Sequence, residues 1–353
     1  MKKYLLFILV PLLFFSMKNS FAQNTGPTIS GHIEATYNYY FGDTTVNALR
    51  SYDARANQIL LNNAHIAITG TPSKKLTYDA EVDFGTDAGV HGLLNQVGGG
   101  PSIGVDLQEA YMTYSFSDKF KFTGGKFVTF EGIELIEGPA NPTISRGYLY
   151  GLAEPYCHVG GYFTFIASDQ IDIRLGVING WDLLIDNNKD KTIIGRFGVN
   201  LGDPLAFGIS GSWGVEQPEP SNNARTSIDL TGITRVINCV ALNFQANYGA
   251  ESFGNLETSW FGFGIQPVIA LSDIVNIGTR IEYFSDKDGV RTGTGIKDFN
   301  TLNLTLVPTF KLDDFTIRVE YRFDSANNAI FPVSENTPSK TSSTVSLGIS
   351  CNI

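Results

Sequence analysis

The chain has 353 residues, of which 42% are hydrophobic and only 17% charged, with 25 Lys+Arg against 35 Asp+Glu and a formal charge of −10. That acidic balance excludes the basic patches that nucleic-acid binding needs and the polybasic face that docks on anionic lipid. Cys157, Cys239 and Cys351 are odd in number, widely spaced and lack a C-x-x-C pair, which argues against a disulfide scaffold or a zinc site.

At the N-terminus, Lys2-Lys3 form a positive n-region, Tyr4 to Phe15 an apolar h-region, and Ser20-Phe21-Ala22 a cleavage site of the A-x-A kind. The pattern predicts a Sec-type signal peptide over 1–22, cleaved near Ala22, and export in a Gram-negative-type envelope. The apolar run falls short of the roughly 20 residues a spanning helix needs. No cysteine follows it to take a lipid. Losing Lys2, Lys3 and Lys18 leaves 22 basic against 35 acidic side chains, a formal charge of −13 over 331 residues. That length usually means two soluble domains, but a β-barrel exceeds it as one unit, here 23–353.

Beyond residue 22 no apolar stretch is long enough for a transmembrane helix, and strict alternation replaces helical periodicity. Ile29, Gly31, Ile33, Ala35, Tyr37, Tyr39 and Phe41 alternate with Ser30, His32, Glu34, Thr36, Asn38 and Tyr40. Leu76, Tyr78, Ala80, Val82 and Phe84 stand against Thr77, Asp79, Glu81 and Asp83; Ile317, Val319, Tyr321 and Phe323 against Arg318, Glu320, Arg322 and Asp324. The spacing predicts strands over 29–41, 58–70, 75–86, 105–116, 119–129, 158–168, 170–180, 191–202, 204–215, 225–236, 239–250, 256–271, 273–285, 298–311, 314–324 and 341–353. These run about 10 to 13 residues, the length of tilted membrane strands rather than the 5 or 6 of soluble ones.

The connections carry the same message. Tight links such as 71–74, 117–118, Asp169, Asp203, 237–238, Ser272 and Asp313 alternate with long ones at 42–57, 87–104, 130–157, 181–190, 216–224, 251–255, 286–297 and 325–340. Alternating periplasmic turns and extracellular loops are the mark of outer-membrane barrels, and about sixteen strands leave an aqueous channel. The predicted fold is therefore all-β, a transmembrane antiparallel barrel. Pro267 and Pro308 interrupt two strands and predict bulges. The last strand ends on Ile353 where such barrels often present an aromatic to the insertion machinery.

The stretch 130–157 breaks the alternation. Some 28 residues without strand pattern are usually functional or disordered, and Ile133, Leu135, Ile136, Tyr148, Leu149, Tyr150 and Tyr156 give it apolar surface to bury. It joins the fifth and sixth strands, and the expectation is a constriction loop folded into the lumen. The competing reading is an outward loop on the cell surface.

Around this stretch lie Gly125-Lys126-Phe127-Val128-Thr129, Gly132 with Glu134, Asn141-Pro142, Ser145-Arg146, Tyr148-Leu149, Gly151-Leu152, Pro155, His158 with Gly160, Asn179-Gly180-Trp181-Asp182 and Asp186-Asn187-Asn188. In order and spacing these resemble the OmpL-like β-barrel porin family. The resemblance is dense over 124–200 and one of pattern elsewhere. It implies a diffusion pore in the outer membrane and assigns no functional residues.

An inward loop would present Glu131, Glu134, Glu137 and Glu154 as an acidic side, with Arg146 tethering it to carboxylates or carbonyls. Arg280, Arg318 and Arg322 would form a basic counter-wall, and such charged rings set ion selectivity. The plainer alternative is that Glu282, Glu320 and Asp324 neutralise those arginines. Asp79, Glu81 and Asp83 form an acidic ladder that favours cations or is simply hydrated.

No cofactor or resident metal is expected. His32, His65, His91 and His158 lack H-E-x-x-H spacing. Asp186-x-Asn188-x-Asp190 starts like a calcium loop, but Lys191 stands at the glycine place and Phe197 at the glutamate place. Gly98-Gly99-Gly100-Pro101 lacks the ending of a phosphate loop.

The leading functional reading is thus a porin passing small hydrophilic solutes, not an enzyme. Its partners would be outer-membrane lipids, the barrel insertion machinery during assembly and a homotrimer as candidate assembly, with no nucleic acid. Two alternatives stand beside it: a closed structural or adhesin barrel, and a lipid-active barrel enzyme using His32 or His65 on its outer wall, for which no G-x-S-x-G serine is present.

Overall fold

The computed structural model describes residues 26–44, 46–92, 104–202, 205–218, 222–334 and 337–353; the expected leader 1–22 and the glycine run 98–100 lie outside the described residues. The alternating segments form β1 (Thr28–Tyr40), β2 (Gln58–Ser73), β3 (Leu76–Phe84), β4 (Val105–Ser117), β5 (Phe120–Val128), β6 (Cys157–Ser168), β7 (Ile171–Ile178) and β8 (Thr192–Asn200). They continue as β9 (Leu205–Val215), β10 (Ala224–Ile237), β11 (Val240–Phe253), β12 (Leu256–Ala270), β13 (Val275–Asp286), β14 (Phe299–Leu312) and β15 (Phe315–Ala326). A small hairpin, β16 (Phe331–Ser334) with β17 (Thr337–Ser339), stands in the last long loop before β18 (Thr341–Asn352). Every barrel strand pairs antiparallel with its neighbours, and β1 closes on β18 from His32 opposite Asn352 to Tyr40 opposite Thr344. The expected sixteen-strand antiparallel barrel is what forms.

The burial pattern says what surrounds it. In β1 the polar set His32, Glu34, Thr36 and Asn38 is buried, while Ile29, Ile33, Tyr37 and Tyr39 are exposed. On β13 to β15, Arg280, Glu282, Asn303, Glu320 and Arg322 are buried, and Ile281, Leu302, Leu304, Val319 and Tyr321 face out. A protein in water inverts neither rule so consistently; an apolar exterior around a polar interior belongs in hydrocarbon. Aromatic side chains gather on the outside by the short turns, where Phe120 stacks on Phe163 at 5.3 Å and Phe122 approaches Phe163 at 5.1 Å, as in an interfacial girdle.

Two bulges aim extra polar groups inward. The β1–β2 register shifts between Glu34 and Ala35, so Asn62 and Asn63 are both buried. The β3–β4 register shifts between Glu81 and Val82, so Gln108 and Glu109 are both buried. The prolines act differently from expectation. Pairing resumes on each side of Pro267 and of Pro308 in unchanged register, Ile265 opposite Ile281 then Val268 opposite Gly278, and Leu306 opposite Tyr321 then Thr309 opposite Arg318. Each proline withholds a ladder bond without adding a residue, so no bulge is needed; Thr279 Oγ1 donates to Pro267 O at 2.9 Å. The expected loop 251–255 shrinks to the turn Gly254-Asn255, with Gly254 at φ +61°.

Candidate functional site

Between β5 and β6 the chain turns inside the barrel. Ile133, Ile136, Ile144, Tyr148, Leu149 and Tyr150 are buried, and the segment bonds to inward side chains of the strands. The segment is internally tied. Arg146 donates from Nε to Leu135 O at 2.8 Å, from Nη1 to Ile144 O at 2.8 Å and from Nη2 to Ile136 O at 2.6 Å, with its guanidinium 4.8 Å from the Tyr52 ring centre. The carbonyl tether named from the sequence is therefore made within the segment. Asn141 Oδ1 accepts Leu135 N at 2.8 Å and its Nδ2 donates to Leu135 O and Glu137 O at 2.9 Å. A five-residue π-turn, Leu149–Ala153, brings the chain back toward β6.

The wall from β9 to β15 holds this segment through buried polar groups. Glu282 accepts the amides of Tyr148 at 2.6 Å and Leu149 at 2.8 Å; Glu320 accepts those of Ile144 at 2.6 Å and Ser145 at 3.1 Å. Arg280 Nη1 donates to Glu134 at 2.8 Å and Ser145 O at 2.6 Å. Arg318 Nη1 reaches Gly138 O at 3.0 Å while its Nη2 pairs with Glu34 of β1, and Arg322 Nη1 reaches Arg146 O at 2.6 Å. Trp260 donates to Ala153 O at 3.3 Å, and Gln266 to Glu134 at 2.8 Å. Charge-assisted bonds to backbone amides and carbonyls are the stronger kind, and here they fix main chain rather than side chains.

The acidic side and the arginines thus meet directly, with no gap between Arg280 and Glu134. Of the neutralising pairs considered, Asp324 does bind Arg322, at 3.0 Å, whereas Glu282 and Glu320 spend their oxygens on loop amides. Glu131 accepts Ser212 Oγ at 3.0 Å and also bonds Ser227; Gln245 donates to Asp229 at 2.8 Å and to Glu154. Gly132 N donates to Asp229 at 3.1 Å, so three carboxylates share one dry pocket. Burial, then the Asp229 charge, pushes Glu131 up to about 8; burial pushes Glu154 up as well.

The other half of the lumen differs. Asp79 and Glu81 on β3, Tyr111 on β4, Tyr162 on β6, Arg174 on β7 and Glu137 of the segment are all half-buried, in contact with solvent. Asp83, the third rung of the ladder, is fully buried and takes His65 Nδ1 at 2.7 Å and His91 Nε2 at 3.0 Å. Opposite in charge, Arg174 and Arg196 (β8) bind Asp172 at 3.2 and 2.8 Å, and Arg174 lies over the Phe130 ring at 5.4 Å. His32 and His65 stack at 4.9 Å inside the lumen, which removes them from the outer wall on which the lipid-active reading placed them. Asp186 holds Lys191 Nζ at 2.5 Å.

Sequence reasoning missed Asp229, Gln245, Gln266, Trp260, Glu34, Arg174 and Arg196. All sit at inward positions of alternating strands, so parity flags them as lumen residues but not as partners of the segment. Arg50, from 42–57, was missed too; it binds Asp324 at 2.6 Å.

A closed sixteen-strand barrel, apolar outside, charged within and bonded to a long segment between β5 and β6, defines an outer-membrane porin-like channel. The chain belongs to the family described as "Putative beta-barrel porin-2, OmpL-like", which it matches over residues 26–351. Its fold is similar to the anion-selective porin from Comamonas acidovorans (TM-score 0.65, 9% identity, covering 93% of this chain and 99% of that one). It is also similar to the outer-membrane channel DcaP of Acinetobacter baumannii (0.64, 11%, 94% and 99%) and to outer-membrane expressed OmpT of Vibrio cholerae (0.63, 12%, 94% and 99%). No curated protein matches the chain in sequence.

Proposed function

We propose that this porin-like channel passes small hydrophilic solutes and ions by passive diffusion, and that 130–157 sets its bore. The observation that carries the reading is an asymmetry. The segment packs on β9 to β15, whose inward groups that bond it are buried, while Asp79, Glu81, Tyr111, Tyr162 and Arg174 on β3 to β7 keep contact with water beside buried neighbours such as Glu109 and Lys126. The path runs along that second half. Its selectivity comes from the half-buried Asp79, Glu81 and Glu137 on one side and from Arg174 on the other, with Arg196 behind it bracing Asp172, because charges lining a narrow aqueous path act on passing ions. Glu131, Glu134, Arg146, Glu154, Arg280, Arg318 and Arg322 act by holding the segment in place.

The protein acts without catalysis, in the outer membrane, after export and cleavage near Ala22. A homotrimer is the proposed assembly; one OmpT structure of Vibrio cholerae is described as a trimer form. Proteoliposomes loaded with an impermeant osmolyte test the function. Rapid swelling in small sugars and amino acids, falling steeply with solute size, is expected. Absence of swelling in every solute leaves the closed structural or adhesin barrel.

A further inference from the structure

β2, β3, β4 and the inner segment converge on one point, where the channel reading uses Glu81 and Glu137 as lining charges and leaves His65 and Gln108 without a role. His65 of β2, Glu81 of β3 and Glu137 of the segment each offer a donor atom, and these atoms all lie within 4.8 Å of one another. His65 Nδ1 is held by Asp83 at 2.7 Å, which directs the imidazole Nε2 toward Glu81, 3.9 Å away. A carboxylate that fixes the tautomer of a histidine and leaves its other nitrogen facing oxygen donors is the usual outer shell of a metal ligand. At 3.9 Å no direct hydrogen bond joins His65 Nε2 to Glu81, and the two atoms need close by only about half an ångström to reach the roughly 3.3 Å between ligands of a tetrahedral ion with about 2 Å bonds.

A second observation comes from β4. The bulge between Glu81 and Val82 turns Gln108 inward, where its side chain is completely buried. Gln108 Nε2 donates to Glu81 at 3.0 Å and also to Glu137, while its Oε1 has no partner. A buried amide carbonyl left without a donor is costly. Without an ion Nε2 is the better end to face the two carboxylates; an ion between them would favour half a turn about the last side-chain bond, which brings Oε1 in as a fourth donor and leaves Nε2 where Oε1 now lies. Beside this group, His32 stacks on His65 and its Nε2 also lacks a partner.

We propose that His65, Glu81, Glu137 and the Gln108 carbonyl form a binding site for a divalent first-row transition cation in the lumen. One imidazole with two carboxylates and an amide oxygen suits zinc or manganese better than magnesium, which prefers oxygen alone. The ion would join the inner segment, through Glu137, to the β2–β4 wall on the half of the lumen that the arginines of β13 and β15 do not reach. It would also cancel negative charge beside Asp79.

The test is binding, so it stands or falls apart from solute flux. Untagged full-length protein, folded in detergent and checked by heat-modifiable electrophoretic mobility, is titrated calorimetrically with zinc chloride. One site per barrel at micromolar affinity is expected, weakened at least tenfold by His65→Asn and by Glu137→Gln, and severalfold by Gln108→Leu. Glu137→Gln changes a half-exposed loop residue, so the barrel folds even if a strand variant does not. Absence of binding by the wild type at millimolar zinc, or unchanged binding in folded Glu137→Gln, overturns the site.

Discussion

Arg280 of β13 and Glu134 of the inner segment meet at 2.8 Å with both side chains almost wholly buried, and this pair joins the wall to what it encloses. Glu134 also takes the amide of Gly147 at 2.6 Å and the Gln266 amide at 2.8 Å, and Arg280 holds Ser145 O. Removing one member leaves a buried charge unpaired, which costs about 3–5 kcal/mol. Arg280→Ala should therefore release 130–157 to added protease while the barrel stays heat-modifiable. Arg280→Ala with Glu134→Gln should recover part of the protection; equal cleavage in the single and double variants would show that the pair does not hold the segment.

Glu282 and Glu320 grip two separate points of the main chain, at Tyr148-Leu149 and Ile144-Ser145. A hydrogen bond to a charged group is worth about 1.5–3 kcal/mol, and Gln keeps one acceptor but loses the charge. Glu282→Gln and Glu320→Gln should each raise hydrogen exchange at the amides they serve, locally, by one to two orders of magnitude. Exchange that rises uniformly across the barrel would contradict the assignment.

Burial, then the Asp229 charge, raises the Glu131 carboxyl on folding. A carboxyl that titrates at about 8 in the folded protein, against roughly 4.3 unfolded, binds its proton more tightly when folded. Its contribution favours folding below about pH 4, and is lost as pH rises from there to about 8. Glu131→Gln fixes the neutral form. Wild type should lose stability relative to Glu131→Gln as pH is raised from 5 to 9, read from paired thermal unfolding midpoints in detergent; a constant difference would mean that Glu131 is not buried beside Asp229.

Charge reversal should separate lining from anchoring. Glu137→Lys and Glu81→Lys place a cation beside the aqueous half and should shift the reversal potential in a salt gradient toward anions, and Arg174→Glu should shift it toward cations. Glu131→Lys removes the acceptor of the buried Ser212 and Ser227 hydroxyls and forces a longer side chain into their closed pocket, and should lower the yield of folded barrel instead. A clean selectivity shift in folded Glu131→Lys would place that residue on the path.

The strands were legible because the membrane enforces period-2 alternation over their whole length; the sixteen barrel strands, β1 to β15 and β18, fall within a few residues of the expected bounds, whereas the small hairpin β16–β17 lies in what was expected to be loop. The break at 130–157 was equally visible. Its partners were not. Which inward residue meets the segment depends on strand stagger and on bulges such as Asn62-Asn63 and Gln108-Glu109, and one added residue leaves no unique trace in local composition. For the same reason the arginines of β13 and β15 read as a facing wall, when their reach closes the gap. Arg174 and Arg196 looked like ordinary polar positions among glycines.

An open path beside the inner segment carries ion current, so single-channel conductance in a planar bilayer reads it. Wild type should give discrete steps, and a variant with 133–153 replaced by a short Gly-Ser linker should give steps several times larger. Steps of equal size in both, or silence in both at every voltage, would contradict it.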